Sequence, residues 1–177
     1  DFKKEIFPIN DLLSFIFIFN SCDDGDITLE SFNFSSQSIQ KCDDPKTFLY
    51  KINDKELLLL DITATPYTYD STYTTFPYTK TYTIDNSTVS VIYRLYNGTV
   101  TSATLCENIA PATPVVTNEW NATGGTIDVT TTQRFDTDGT TLLGYTHAIK
   151  LINVNFSNGT NNFSFEEYFV GNYQSNI

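Results

Sequence analysis

The stretch LLGYTHAIKLINVNF, residues 142–156, decides the fold class, because apolar and polar residues alternate along it. A period of two places successive side chains on opposite faces of a β-strand. The apolar phase changes once, and its two sets are Tyr145, His147, Ile149 and Leu151, then Ile152, Val154 and Phe156. The sequence therefore predicts one long strand with a bulge near Leu151.

Turn sequences separate further alternating segments on both sides of this strand. Asp136-Thr137-Asp138-Gly139 precedes it, and Asn158-Gly159 leads into a phenylalanine-rich alternation that ends near Phe169. About nine short strands with turns at such spacing are typical of a β-sandwich or a barrel. We predict an all-β fold, a single antiparallel sandwich or barrel-like domain over residues 27–177.

Two hairpins are predicted inside this domain. Residues 48–52 and 57–62 are apolar runs that flank a short polar loop, and the LLLL run in the second favours a central strand. Tyr96-Asn97-Gly98-Thr99 indicates a type I′ turn, because Asn and Gly tolerate positive φ. We expect a strand over residues 100–106 after it. Residues 107–118 hold two prolines and are predicted to connect strands.

Composition restricts the partners. Aromatic residues make up 15% of the 177 residues, which favours sheets over helices. The formal net charge is −11 at pH 7, so nucleic acid and anionic membrane surfaces are not expected partners. No cofactor is indicated by any motif.

The chain has three cysteines, Cys22, Cys42 and Cys106. If Cys22 is reserved for another role, the other two form an even pair that suits a disulfide in an oxidising compartment. The alternative is a pair of buried free thiols. No Cys/His spacing indicates zinc.

The segment LLSFIFIFNSCDDGD, residues 12–26, has the pattern of an export signal. Lys3 and Lys4 precede an apolar run too short to span a bilayer, and Ser21 is a small residue before Cys22. This segment resembles the precursors of Bacteroidetes lipoproteins, in which acidic residues follow a lipidated cysteine. The resemblance implies a signal over residues 1–21, lipid on Cys22 and a tether over residues 22–26. Alternatively, residues 12–19 are a core strand.

Three later segments, YKINDKELLLLDI, YRLYNGTV and NEWNATGGTIDVTT, resemble uncharacterised flavobacterial cell-envelope lipoproteins. The resemblance implies a β-rich fold and a place in the cell envelope, at the outer membrane or cell surface. It implies no activity.

Candidate catalytic residues are few. His147 is the only histidine, and no nucleophile elbow accompanies it, so we expect a structural or surface role. Asp136 and Asp138 lack the remaining ligands of a calcium loop. Glu166 and Glu167 are adjacent on a predicted strand and point to opposite faces, which a glycosidase pair does not.

A run of tyrosines in an irregular segment is the most suggestive binding feature. Exposed aromatic rings can stack on sugars or fill a partner's pocket, although tyrosine also suits ordinary strands. The candidate binding face consists of Tyr67, Tyr69, Tyr73, Tyr78 and Tyr82.

The sequence thus favours a non-enzymatic envelope lipoprotein that attaches to the membrane through lipid. It would act as a binding or accessory module, with a glycan or an envelope protein as the expected partner. Two alternatives stay open. A filament or adhesin subunit would use residues 12–19 for strand addition and form homo-oligomers. An esterase or glycosidase would need a pocket that unites His147 or two carboxylates.

Overall fold

The computed structural model describes residues 32–42, 48–63 and 70–177. The predicted signal over residues 1–21, the predicted lipidation site at Cys22, the predicted tether over residues 22–26 and the alternative core strand over residues 12–19 lie outside these ranges, as do Tyr67 and Tyr69. The elements are β1 (Gln40–Lys41), β2 (Leu49–Asn53), β3 (Glu56–Ile62), β4 (Tyr78–Thr83), β5 (Val89–Tyr96), α1 (Ser102–Cys106), β6 (Val116–Ala122), β7 (Thr126–Phe135), β8 (Leu142–Ser157) and β9 (Asn162–Asn176).

The all-β prediction is confirmed. Within the described ranges the nine strands form one antiparallel sheet that is not closed, rather than two separate sheets. The order is β1-β2-β3-β5-β6-β8-β7-β4, with β9 on the other side of β8. The predicted hairpin of β2 and β3 is present, and β3 lies inside the sheet between β2 and β5.

The long strand β8 organises this sheet, as its sequence predicts. It pairs with β9 from Gly144 to Ser157 and with β7 from Leu142 to Ile152. Its end pairs instead with β6, through Phe156 opposite Ala122. The strands β6 and β7 therefore follow the same side of β8, one after the other, with a corner between them.

The corner explains the change of apolar phase in β8. Asn153 has a φ of 51°, and Gly125 opposite it has a φ of 98°. A Cβ on Gly125 would lie 2.6 Å from the Asn153 carbonyl oxygen, so glycine is required there. Leu151 is buried before the irregularity and Val154 after it. The sheet also has a register shift between Ile149 and Lys150, close to the predicted bulge.

Two hydrophobic clusters stabilise the fold. The larger packs the inner face of the sheet, and each fully buried side chain contributes about 1.5–3 kcal/mol. Phe32, which precedes β1, contacts Phe34, Tyr93, Phe156, Phe163, Phe165 and Tyr168 with ring centroids 4.9–6.0 Å apart. The smaller cluster lies around Tyr50, Leu57 and Tyr96.

A buried lysine joins the first and last parts of the sheet. Lys51 of β2 is 3% exposed, and its Nζ donates to the carbonyl oxygen of Val170 in β9 at 2.6 Å. Burial lowers the pKa of Lys51. The side chain of Ile39 lies close to Gly171, so this region of β9 is covered.

The predicted type I′ hairpin at Asn97 and Gly98 is wrong. Neither residue has the positive φ that such a turn needs, and the predicted strand over 100–106 is the short helix α1. The chain is held to the β2–β3 turn, because the Val100 amide donates to the Asp54 carbonyl at 2.8 Å. Strand β5 already pairs with β3 and β6, so no edge is left for a returning strand.

The disulfide between Cys42 and Cys106 is present, with the two Cα atoms 5.3 Å apart. It joins the residue after β1 to the last residue of α1, and Cys42 is buried in the smaller cluster. None of the helices in the described ranges has the length and apolar character to cross a membrane.

Candidate functional site

One row of side chains crosses four strands on the inner face of the sheet. Tyr78 of β4 lies opposite Thr131 of β7, Thr131 lies opposite His147 of β8, and His147 lies opposite Tyr173 of β9. Directly opposed residues of an antiparallel pair share a face, so the four side chains are neighbours. This row of Tyr78, Thr131, His147 and Tyr173 is called the polar row below.

His147 is the centre of the polar row and is fully buried. One ring nitrogen, Nδ1, lies 2.9 Å from Thr131 Oγ1, and the other, Nε2, lies 2.9 Å from Ser175 Oγ. Both ring nitrogens of a neutral imidazole are thus satisfied, one as donor and one as acceptor. Burial lowers the pKa of His147 to about 4, so the ring is neutral at pH 7.

Ser175, His147 and Thr131 are hydrogen-bonded in the same order as the serine, histidine and carboxylate of a hydrolase triad. Thr131, however, occupies the position of the carboxylate. A threonine hydroxyl can orient the ring, yet it cannot stabilise an imidazolium as a negative charge does. The buried, weakly basic ring suits a structural role. Of the two expected positions, structural or surface, the structure contradicts the surface position, because His147 is fully buried.

An aromatic layer covers one end of the polar row. Tyr73 stacks on Tyr78 with centroids 4.1 Å apart and an angle of 10° between planes. Phe76 stacks on Tyr145 with centroids 5.7 Å apart. Phe76 also contacts Tyr78 at 5.4 Å, which links the two stacks. Each of these rings is therefore in contact with at least one other aromatic ring of the domain.

An ion pair lies beside the Tyr73 ring. Lys80 Nζ donates to Asp70 Oδ2 at 2.6 Å and lies over the ring of Tyr73, 5.8 Å from the ring centroid. The side chains of Lys80 and Asp70 are 33% and 28% exposed. The hydrogen bonds from Lys80 and Thr72 hold the pKa of Asp70 at about 2, and the bond to Asp70 raises the pKa of Lys80.

The structure thus brings three of the predicted tyrosines together around Lys80. Tyr73 is half-buried, Tyr78 is buried with 8% exposure, and Tyr82 packs against the core at its edge. Burial raises the pKa of Tyr82. Tyr73 and Tyr78 therefore form a stacked pair with the half-buried Tyr73 outermost, and Tyr82 packs separately against the core, so the three rings do not form one flat exposed face.

Sequence reasoning missed the other members of this site. Asp70 and Lys80 each lie among the predicted tyrosines, and that position is the signal that could have singled them out. Phe76 lies in the same segment, but its contact with Tyr145 joins β8 to a loop 69 positions earlier, which no local pattern indicates.

The remaining predicted candidates serve the fold. Asp138 accepts hydrogen bonds from the Thr141 hydroxyl and from the Thr141 and Thr140 amides, the two amide bonds at 2.8 Å, and these bonds lower the pKa of Asp138. This matches the predicted β7–β8 turn. Glu167 pairs with Lys150 at 2.7 Å on the outer face. In the part of the chain that the structure describes, no three His, Cys, Asp or Glu side chains are grouped to hold a metal.

A shallow pocket of about 460 Å³ lies elsewhere, next to the loop after β5. It is lined by Asn97, Gly98, Thr99, Thr113 and Pro114. These residues include no titratable side chain, so the pocket has no group for acid–base chemistry.

Comparisons with known proteins found no matching family model, no similar curated protein and no similar solved structure.

Proposed function

We propose that this protein is a non-enzymatic binding module of the cell envelope, anchored through lipid on Cys22. The observation that carries the proposal is the Tyr73–Tyr78 stack with the partly exposed Asp70–Lys80 pair beside it. We call the surface formed by Tyr73, Asp70 and Lys80 the aromatic site.

The aromatic site favours binding because its main ring is already held in place. The 4.1 Å stack on buried Tyr78 restricts the rotamers of Tyr73, so a ligand that covers Tyr73 costs little further side-chain entropy. The charged pair next to the ring supplies donors and an acceptor for specificity. The ligand is expected to be a glycan or a protein of the envelope.

The envelope location draws support from the signal-like start and from the Cys42–Cys106 bond. Disulfides persist in oxidising compartments outside the cytoplasm. The anchor itself is tested by intact-mass analysis of the native protein. We expect a chain that begins at a lipidated Cys22, and an envelope-bound species that retains residues 12–19 would contradict the anchor.

Binding is tested with the domain from residue 27 onward and solubilised envelope material, separated into glycan and protein fractions. Tyr73→Ala removes the outer ring while buried Tyr78 stays in place. Phe169→Ala is the matched control, since Phe169 is a 51% exposed ring on the outer face of β9. We expect Tyr73→Ala to lose binding to one fraction and Phe169→Ala to retain it. Equal binding by both folded variants would reject the aromatic site.

A further inference from the structure

We propose that residues 100–106 are a redox-controlled cover, which closes the apolar outer face of β2, β3 and β5 only while Cys42 and Cys106 are bonded. These residues are called the cover below. The cover lies on a different part of the sheet from the aromatic site at β4, and its action does not depend on the binding role.

Strand β3 is apolar on both of its faces. Leu58 and Leu60 belong to the larger cluster, whereas Leu57 and Leu59 belong to the smaller cluster. Alternate residues of a strand point to opposite faces, so the smaller cluster lies on the outer face of the sheet. A sheet face that meets water is normally polar, and this apolar face therefore needs protection from solvent.

The cover supplies that protection. Val100 and Leu105 are buried in the smaller cluster. The cover begins beside the β2–β3 turn, where the Val100 amide donates to the Asp54 carbonyl oxygen at 2.8 Å. It ends at Cys106, whose bond to Cys42 ties α1 to the residue after β1.

The disulfide decides whether the cover stays closed. The helix α1 has five residues, and so short a helix is not stable without tertiary contacts. Ordering the backbone of residues 100–106 costs conformational entropy at every position, and the burial of Val100 and Leu105 offsets only part of this cost. The bond to Cys42 keeps the end of the cover beside the sheet and so removes much of the cost. Without the bond, the open state is favoured.

A dithiol reductant can reach the disulfide from the side of Cys106. Cys106 is partly exposed, whereas Cys42 is buried with 1% exposure. A thiolate of the reductant attacks the Cys106 sulfur, and the electron pair of the S–S bond leaves on the Cys42 sulfur. The second thiolate of the reductant then attacks the reductant sulfur bonded to Cys106, and the Cys106 thiolate is released. The two thiol protons of the reductant pass to the two cysteine sulfurs, so the protein disulfide is reduced and the dithiol is oxidised.

The test is hydrogen–deuterium exchange of the full chain, with and without dithiothreitol. We expect the amides of residues 100–106 to exchange about tenfold faster or more after reduction, because the cover opens locally. The amides of β7 and β8 should keep their rates, and the emission of buried Trp120 should not shift, since both report the larger cluster. Nile red should gain fluorescence on reduction as the smaller cluster becomes accessible. This dye is neutral, so the formal charge of −11 does not repel it.

Two variants complete the design. A variant with both Cys42→Ser and Cys106→Ser lacks the bond under all conditions. We expect its cover to exchange at the rate of the reduced wild type and to show no response to dithiothreitol. Cys22→Ser is the matched control, because it removes the third cysteine and should respond to dithiothreitol like the wild type.

Two results would overturn the proposal. Unchanged exchange of residues 100–106 after reduction would show that the cover stays closed without the bond. Faster exchange throughout β7 and β8, with a shifted Trp120 emission, would show that the disulfide holds the whole domain rather than the cover alone.

Discussion

Acidification is expected to weaken the fold through one side chain, His147. The pKa of this buried ring is about 4, whereas an unfolded chain has the ordinary histidine value of 6.5. As the pH falls from 6.5 to 4, the ring becomes protonated in the unfolded state while it stays mostly neutral in the folded state. Stability is fully present above pH 6.5 and decreases as the pH is lowered through this window.

The magnitude follows from the two pKa values. One pKa unit corresponds to about 1.4 kcal/mol, and the linkage relation gives a loss of about 2 kcal/mol between roughly pH 7 and pH 5. His147 is the only histidine, so no other imidazole contributes. Asp70, Asp85 and Asp138 have lowered pKa values, and their contributions are lost mainly below this window.

The assay is urea denaturation at pH 7, 6 and 5, for the wild type and for His147→Gln. The variant keeps a hydrogen-bonding side chain but does not titrate. The other ionisable groups titrate alike in both proteins. The difference between their free energies of unfolding at each pH therefore reports the protonation of the His147 ring alone. We expect the free energy of unfolding to fall by about 2 kcal/mol more in the wild type. A wild type whose pH profile is parallel to that of the variant would refute the reasoning.

Two further changes test the fold. Replacement of Cys42 and Cys106 by serine removes a cross-link between residues 64 positions apart. In the chain-entropy model this should lower the free energy of unfolding by about 4 kcal/mol, which urea denaturation would measure. A loss below about 1 kcal/mol would contradict the prediction. Gly125→Ala should lower stability by about 2 kcal/mol or more, because the new Cβ would press on the Asn153 carbonyl, whereas Gly124→Ala meets nothing within 4 Å. Equal thermal midpoints for the two alanine variants would be inconsistent with a strained corner.

The strands were predictable because their signal is local. The alternation over residues 142–156 is visible in the sequence, and so are the turns at Asp138-Gly139 and Asn158-Gly159. The corner at Gly125 was harder to place, since a Gly-rich turn does not say which strand its backbone approaches. The helix α1 was missed because its five residues have little helix signal, and its position depends on contacts with the β2–β3 turn.

The candidate site was only partly predictable, because sequence patterns report local structure and do not show which strands pair. Tyr73, Tyr78 and Tyr82 share a segment, so their proximity was expected from the sequence. The stacking of Tyr73 on buried Tyr78 was not expected, because β4 pairs with β7 and this pairing sets which rings face the core. The polar row required the register of four strands, which His147 alone could not reveal.

The most direct test of the binding role is fluorine NMR of the domain labelled with 3-fluorotyrosine. The resonances are assigned by single Tyr→Phe substitutions, and envelope glycan is then titrated into the sample. We predict that the Tyr73 and Tyr78 resonances shift together, while those of Tyr50 and Tyr96, in the smaller cluster, stay in place. Shifts confined to Tyr50 and Tyr96 would contradict a binding role for the aromatic site.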